Sequence, residues 1–484
     1  MRLKKMLKLL PQDLVIDVHG LSRDIEITGL SSNSKVVAPG MLFIAKKGSA
    51  EDGHRYIPDA IAHGARAVVT EVKDPFCEIP QIITKDPASC EAKLADIFYQ
   101  SPSRDLFLVG VTGTNGKTTT SYLIQFLFQK LLGPCGLIGT IEYQIGEQRF
   151  IASRTTPDVV TNQKLLREMV GHGCNFAVME VTSHALEQNR VKYLDFDAAV
   201  FTNLTQDHLD YHETMEQYGM AKAKLFQSLS SSKVAVINRD SEAYDRMAMG
   251  CKACIVSYAI DADADFKASN ITFSARGTQF TLSNQGKTYP IEWPLIGRFN
   301  VYNCMAALAV LQSYGIPLKE VIPHLKEFRS APGRLERVTN KKGLNIFVDY
   351  AHTDDALSNV LKCLRELSAG RLITVFGCGG NRDKGKRPKM ARVSEDYSDV
   401  TIVTSDNPRH EDPQEICNEI VQGFSKNHYY VEVDRKRAIA KAITMANPED
   451  LILIAGKGHE TYQIFAHQTV EFDDRKIASE LIDG

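Results

Sequence analysis

Short apolar runs recur along this chain. Each is closed by polar or glycine-rich residues and followed by a stretch with apolar residues at helical spacing. In the first hundred residues the runs Met41–Ala45, Ala67–Thr70 and Gln81–Ile83 predict strands, and Ile57–His63 and Glu91–Phe98 predict helices. Leu106–Val111 predicts a strand and Thr118–Leu132 the helix after it. Phe176–Glu180, Ala198–Thr202 and Val234–Asn238 are further apolar strands with no exposed face in their pattern. Between Phe266 and Trp293 the pattern changes to alternation, as in Thr278–Leu282, which predicts an antiparallel addition. Tyr302–Leu311 is alanine-rich and predicts a closely packed helix. The strand–helix rhythm then returns with Asn345–Asp349, Leu372–Phe376, Val400–Thr404 and Leu451–Ala455.

Strands alternating with helices predict α/β folds built on parallel, doubly wound sheets. With 484 residues the chain is too long for one core. Ser101-Pro102-Ser103 punctuates the first boundary and Ala331-Pro332-Gly333 the second. Three domains are expected: residues 1–103, a small α/β unit; 104–330, a central parallel-sheet unit with a phosphate loop; and 331–484, a Rossmann-like α/β unit.

A net charge of −2 gives no reason to expect nucleic acid, so discrete sites must carry the function. Ten cysteines without regular spacing suit reduced thiols in a cytoplasmic enzyme. Cys251-x-x-Cys254 lacks the second pair that a zinc site needs. The start, Met1 to Pro11, reads as a short amphipathic helix, because Lys8 interrupts its apolar run. No run approaches the ~20 apolar residues of a membrane span.

The densest chemistry follows the strand ending at Val111. Gly113-Thr114-Asn115-Gly116-Lys117-Thr118-Thr119 places flexible backbone, a lysine and a hydroxyl at the start of a helix. Such a turn cradles phosphates with backbone N–H groups, while the Thr118 hydroxyl suits Mg²⁺. A strict Walker pattern has glycine where this chain has Val111. Glu180, closing an apolar strand, is a candidate Mg²⁺ ligand. Thr182 to Arg190 is a polar segment suited to a carboxylate substrate or, more plainly, to capping a helix. Asn203 to His212 ends another strand, with His208 and, less strongly, His212 as metal candidates. The residues alone read Lys222 and Lys224 as solvated helix lysines.

In the last third, Asp349 and His352 lie just past a strand. Gly377 to Pro388 combines glycines with Arg382, Lys384, Lys386 and Arg387, which suits phosphate or carboxylate recognition. Asp406-Asn407-Pro408-Arg409 offers a planar fork for a carboxylate, and Gly456 to Glu460 an acid for an ammonium group. Acid and base at neighbouring strand ends suit a zwitterionic amino acid.

Gly-Thr-Asn-Gly-Lys-Thr, Glu180, the Asn203–His212 run, Gly297-Arg-Phe-Asn300, Pro332-Gly-Arg334 and Asp349-Tyr-Ala-His352 together resemble the Mur ligases, over essentially the whole chain. Val111 agrees with that family's shorter loop. The resemblance implies an ATP- and Mg²⁺-dependent ligase of peptidoglycan precursor synthesis. Such an enzyme activates a UDP-linked carboxylate as an acyl phosphate for attack by an amine. It implies nucleotide contacts from Gly113 to Thr119 and at Asn300, Arg334 and Asp349. It implies catalytic or metal-associated roles for Lys117, Thr118, Glu180 and His208. It makes Lys222 a carbamylated lysine, reversing the reading from residues alone. Ser32, Ser34, Ser49, Ala50 and Glu51 correspond to the uridine end of the UDP-muramoyl-peptide site. Thr155, Thr156, Thr182, Gln188 and Arg190 correspond to its peptide end.

Asp406–Arg409 resembles the signature of the diaminopimelate-adding members. Arg382, Asp406, Asn407, Pro408, Arg409, Gly456 and Glu460 are then the expected amino-acid contacts. Diaminopimelate carries one carboxylate more than lysine, and a fixed guanidinium would discriminate between them. The implied partners are small molecules only: ATP, UDP-N-acetylmuramoyl-L-alanyl-D-glutamate and meso-2,6-diaminopimelate. The chain is expected to be a monomer. A lysine-adding relative, a folylpolyglutamate synthase-like ligase, a non-catalytic nucleotide-binding regulator and a P-loop transport ATPase are the alternatives. The first would lack Arg409, and the second would lack the uridine-binding first domain. The regulator would not need Lys117, Glu180, His208 and Lys222 together. The transporter would need a docking or membrane segment.

Overall fold

The computed structural model describes residues 1–48, 51–274 and 277–483. Among these residues the strands form three main sheets, and no helix is long and apolar enough to cross a membrane. The first sheet has five strands in the spatial order Asp17–His19, Gln81–Ile83, Ala67–Thr70, Leu42–Ile44, Leu30–Ser31. All neighbours are parallel except the first pair. The helix Leu3–Leu9 turns Leu3 and Met6 into this core, as its amphipathic pattern predicts.

The second sheet has eleven strands. Its centre is parallel, in the order Cys254–Ala259, Val234–Asn238, Ala198–Phe201, Phe107–Thr112, Phe176–Glu180, Cys135–Ile138. The five strands from Val234–Asn238 to Cys135–Ile138 are buried on both faces, which is why their sequences are apolar without alternation, whereas Cys254–Ala259 is only partly covered. Phe176 and Val178 pack on one side with the helices Lys117–Leu131 and Arg298–Tyr314. Ala177 and Met179 pack on the other with the helices Val159–Gly171 and Met215–Gln227. Phe266–Ser274 joins Cys254–Ala259 in parallel, and antiparallel pairing takes over beyond it and at the opposite end of the sheet. Phe266–Ser274, Gly277–Asn284 and Lys287–Trp293 are the expected addition. The hairpin Glu142–Ile145 with Gln148–Ile151 at the opposite end has no counterpart among the predicted elements. Gln148–Ile151 is exposed throughout, so no buried face imprints a period on it.

The third sheet has six strands, with Asn345–Asp349, Leu451–Ala455, Leu372–Phe376 and Val400–Val403 adjacent and parallel. The doubly wound reading holds in each main sheet. The carboxyl ends of the central and third sheets gather the polar residues that closed each apolar run.

Candidate functional site

The strand Phe107–Thr112 delivers the chain to the carboxyl edge of the central sheet, where it turns within four residues into the helix Lys117–Leu131. Gly113 has φ +147°, and a Cβ there would fall 1.9 Å from Thr202 Oγ1. Gly116 has φ +86° and lies against Asn303. Only glycine satisfies both demands at both positions. The loop is fastened to the next strand end. Thr114 N donates to Asn203 O at 2.9 Å, Asn115 N to Asn203 Oδ1 at 2.9 Å, and Asn203 Nδ2 to Asn115 O at 3.0 Å. Thr118 and Thr119 are buried in the first helical turn. Asn300 accepts from Asn303 Nδ2 at 3.0 Å, and Asn303 accepts from Thr120 Oγ1 at 3.1 Å, so Asn300 braces this turn from behind.

Two lysines converge on one carbonyl. Lys117 Nζ donates to Gly113 O at 3.0 Å and Thr114 O at 2.8 Å, and Lys222 Nζ donates to Gly113 O at 2.9 Å. Lys222 is 1% exposed, which corrects the residue-level reading of a solvated lysine. Lys224, two residues on, is half-exposed and paired with Glu187. Burial, reinforced by Lys117, pushes the Lys222 ammonium well below its ordinary range. Burial also lowers Lys117, against the pull of Glu180 and Asp207.

Glu180 is fully buried and collects donors. Its Oε2 accepts from Thr118 Oγ1 at 3.0 Å and Thr140 Oγ1 at 2.9 Å; its Oε1 accepts from Thr140 N at 2.9 Å. Arg334 Nη2 reaches Thr118 Oγ1 at 3.2 Å from the third domain, its guanidinium 4.7 Å above the Tyr350 ring. Asp349 accepts from Leu335 N at 2.6 Å and Ala351 N at 2.7 Å; burial pushes its carboxyl up, with Arg334 opposing. Magnesium prefers hard oxygen ligands in small number, completed by phosphate and water. Thr118 Oγ1 and Glu180 Oε2 fit that donor set. Among the described residues no cluster of three or more His, Cys, Asp or Glu forms a ready-made cage. His208 is 44% exposed on the side chain, with Nε2 3.4 Å from Asp207 Oδ2. Burial lowers its pKa, with Asp207 opposing and His184, Lys117 and Lys222 adding to the fall. His212 instead turns inward to Ser183 Oγ at 2.8 Å.

The expected peptide-site residues share the Glu180 wall. Thr156 Oγ1 donates to Glu180 O at 2.8 Å and lies 3.3 Å from Thr182 Oγ1, while Thr155 Oγ1 lies 3.1 Å from Thr140 Oγ1. Arg190 donates to Thr156 O at 2.9 Å and to Gln188 Oε1 at 2.6 Å. Thr182 also caps the helix Ser183–Glu187, as the capping reading of that segment expects.

A cleft of about 990 Å³ separates the central and third domains. Asp207 and His208 line one side; Asp406, Arg409, Gly456 and Glu460 line the other. Arg409 adopts φ +53°, and its Nη1 donates to Gly380 O at 2.8 Å. Asn407 Nδ2 donates to Glu460 Oε2 at 2.8 Å, and the fully buried Lys457 donates to Asn407 Oδ1 at 3.1 Å and Glu460 Oε2 at 3.0 Å. Pro408 is buried, and the exposed Arg382 lines the cleft. The basic segment from Gly377 to Pro388 divides. Arg382 and Lys386 face the cleft, whereas Arg387 turns inward to Glu411 and Glu419, and Lys384 pairs with those same acids. The expectation that this whole cluster serves recognition is therefore corrected.

Ser32, Ser34 and Glu51 lie on the first domain and do not line this cleft. Ser34 is buried at the start of a 3₁₀ turn, and Glu51 accepts from Tyr56 OH at 2.8 Å. Ser49 and Ala50 lie outside the described residues. Sequence reasoning missed Thr140, Lys457 and Asp355. Asp355 Oδ2 accepts from Asn115 Nδ2 and Thr205 Oγ1, each at 3.0 Å, joining the third domain to the phosphate loop. Thr140 had a legible signal, since Gly139-Thr140 follows the apolar run Cys135–Ile138.

Three family descriptions match the chain in order: Mur ligase family, catalytic domain, over residues 26–103; Mur ligase middle domain, over 111–311; and Mur ligase, glutamate ligase domain, over 333–458. A UDP-N-acetylmuramoyl-L-alanyl-D-glutamate–2,6-diaminopimelate ligase of Chlamydia felis is 45% identical over 485 aligned residues, covering 100% of this chain and 99% of the relative. The ligase of the same name from Bacillus cereus is 44% identical over 465 residues, covering 95% and 94%. A solved structure of a ligase of that name is 35% identical, with a TM-score of 0.71 and 94% of each chain covered.

Proposed function

This chain belongs to the Mur ligase family, and from that premise we propose that it joins meso-2,6-diaminopimelate to UDP-N-acetylmuramoyl-L-alanyl-D-glutamate, with conversion of ATP to ADP and phosphate. The first domain would hold the uridine end, the central domain ATP and the peptide carboxylate, and the third domain the amino acid. The substrate carboxylate takes the terminal phosphoryl group of ATP, giving an acyl phosphate. The amine then attacks that carbonyl, and phosphate departs from the tetrahedral intermediate. Phosphate is a far better leaving group than carboxylate oxygen, so the protein's work is positioning and charge neutralisation.

Within the Gly113–Thr119 loop, the N–H groups at the start of the helix Lys117–Leu131 and the Lys117 side chain suit the phosphates, and Arg334 and Asp349 suit the rest of the nucleotide. Thr118 and Glu180 would hold Mg²⁺, which when bound neutralises phosphate charge. His208 and Lys222 would serve a second ion. An ammonium at Lys222 would repel a cation, but a lysine whose neutral form is favoured by burial reacts readily with carbon dioxide, and the carbamate is an oxygen ligand. Thr155, Thr156, Thr182, Gln188 and Arg190 would orient the peptide carboxylate on the Glu180 wall. The requirement for ATP favours the cytoplasm.

The observation that carries the reading is the polarity of one cleft. Arg409 offers a guanidinium and Asp406 and Glu460 offer carboxylates at the end facing His208 across about 990 Å³. A matching first domain over residues 26–103 supports this reading over a folylpolyglutamate-type ligase. Arg409→Ala is expected to lose roughly 2–5 kcal/mol of diaminopimelate binding, the range for truncating one partner of a hydrogen-bonded charge pair. Unchanged affinity on calorimetric titration would overturn the assignment.

A further inference from the structure

Two loops leave the carboxyl edge of the third sheet side by side. One follows the strand Leu372–Phe376 and carries Arg382; the other follows Val400–Val403 and carries Arg409. They are joined by Gly380 N donating to Asn407 O at 2.9 Å, His410 N to Asn381 Oδ1 at 3.1 Å, and Arg409 Nη1 to Gly380 O at 2.8 Å. Behind them lies Arg387, whose side chain is 0% exposed in the first turn of the helix Lys386–Tyr397. Its Nη1 donates to Glu411 Oε2 at 2.9 Å and Glu419 Oε2 at 2.5 Å. Its Nη2 donates to Glu411 Oε1 at 3.1 Å and to Gly379 O at 3.3 Å. Glu411 Oε1 also accepts from Asn381 N.

The fork of Arg387 thus grips one loop through Gly379, and Glu411, a member of the other loop, grips the first through Asn381. Neither side chain lines the cleft, whereas Gly379, Arg382 and Arg409 do. Four bonds from the two terminal nitrogens fix this buried guanidinium, while its Nε has no acceptor; losing one of the four would leave a further buried donor unpaired, which disfavours other geometries. Arg409 holds a left-handed backbone that a loosened loop would release.

We infer that the Arg387–Glu411 pair is a positioning device for the incoming amino acid: it fixes the reach of Arg409 and so sets the preference for an amine bearing a second carboxylate. This rests on the proposed reading of the diaminopimelate site. Its basis is that the pair's backbone bonds end on Gly379 and Asn381 in the loop carrying Arg382, that Glu411 itself belongs to the loop carrying Arg409, and that Arg387 ties both to Glu419 of the helix Pro413–Val421.

The test is steady-state kinetics of Glu411→Gln with diaminopimelate and with lysine. The variant is expected to raise KM for diaminopimelate by about tenfold or more, within the roughly hundredfold that a misplacement of about 1 Å produces. KM for ATP is expected to hold. The preference for diaminopimelate over lysine should fall with the rise in KM, because lysine has no second carboxylate to lose. A merely structural role would lower kcat for both amines and leave that ratio intact. Arg387→Lys, which keeps the charge and loses the fork, gives the same reading should Glu411→Gln not fold. A wild-type enzyme that takes no diaminopimelate overturns this inference together with the proposed function. A wild-type enzyme that takes it, with folded variants whose preference is unchanged, overturns this inference alone.

Discussion

Replacing Asp474 by asparagine removes one charge from the best-sealed ion pair in the third domain. Arg435 and Asp474 are both 0% exposed on their side chains. Arg435 Nε donates to Asp474 Oδ1 at 2.8 Å and Nη2 to Oδ2 at 2.7 Å. The same guanidinium donates to Ser405 O at 3.2 Å and Ala455 O at 3.0 Å, the residues just before Asp406 and Gly456. The asparagine side chain would keep the shape and one acceptor, but would leave a buried cation without its counter-charge. Breaking a buried pair costs about 3–5 kcal/mol; because the two carbonyl bonds survive, the lower end, about 3 kcal/mol, is expected. That is a sizeable share of the ~5–15 kcal/mol that holds a domain. The assay is urea unfolding followed by hydrogen exchange in the helix Arg435–Met445, which isolates the third domain from transitions elsewhere. At a slope of roughly 2 kcal/mol/M the midpoint should fall by about 1.5 M. The double variant Arg435→Met with Asp474→Leu removes both charges and should recover most of the loss. A loss below about 1 kcal/mol, the scale of an exposed pair, would refute the reasoning. So would a double variant no better than the sum of the singles.

Two further outcomes follow from the geometry. Gly113→Ala would place a Cβ 1.9 Å from Thr202 Oγ1, which is held by its 2.6 Å bond to Asn115 O. Backbone strain and overpacking should together cost roughly 2–4 kcal/mol and weaken nucleotide binding; wild-type melting and nucleotide titration would contradict this. His459 packs beside Tyr350, and burial, with Arg334, Arg475 and Lys457 adding, pushes its pKa down to about 3. The folded state therefore binds fewer protons than the unfolded state between pH 6.5 and 3, so its contribution is present above pH 6.5 and is lost as pH falls towards 3. The slope is at most about 1.4 kcal/mol per pH unit. His459→Gln should flatten the fall in unfolding free energy below pH 6.5, and parallel curves for variant and wild type would count against it.

The central strands were legible because burial on both faces leaves an unbroken apolar run. Phe176–Glu180, Asn345–Asp349 and Leu451–Ala455 occur where that signal put them. The exposed strand Gln148–Ile151 carries no such imprint. The phosphate loop was legible because glycine and lysine at that spacing have few other uses. Lys222 was not legible from its neighbours, since Ala-Lys-Ala-Lys gives Lys222 and Lys224 the same local context. Only the fold shows that the first meets the Gly113 carbonyl and the second meets solvent and Glu187. Asp355 and Arg387 were illegible for the same reason: their partners lie in other domains or other loops, beyond any local pattern.

The most direct test of the proposed ligase is phosphate release from ATP in the presence of UDP-N-acetylmuramoyl-L-alanyl-D-glutamate, with diaminopimelate, lysine or glutamate added in turn and the product weighed by mass spectrometry. Release should require both the UDP-linked substrate and diaminopimelate, with a product heavier by one diaminopimelate residue. Release with lysine in preference to diaminopimelate would contradict the specificity assigned to Arg409, and no substrate-dependent release would contradict the ligase itself.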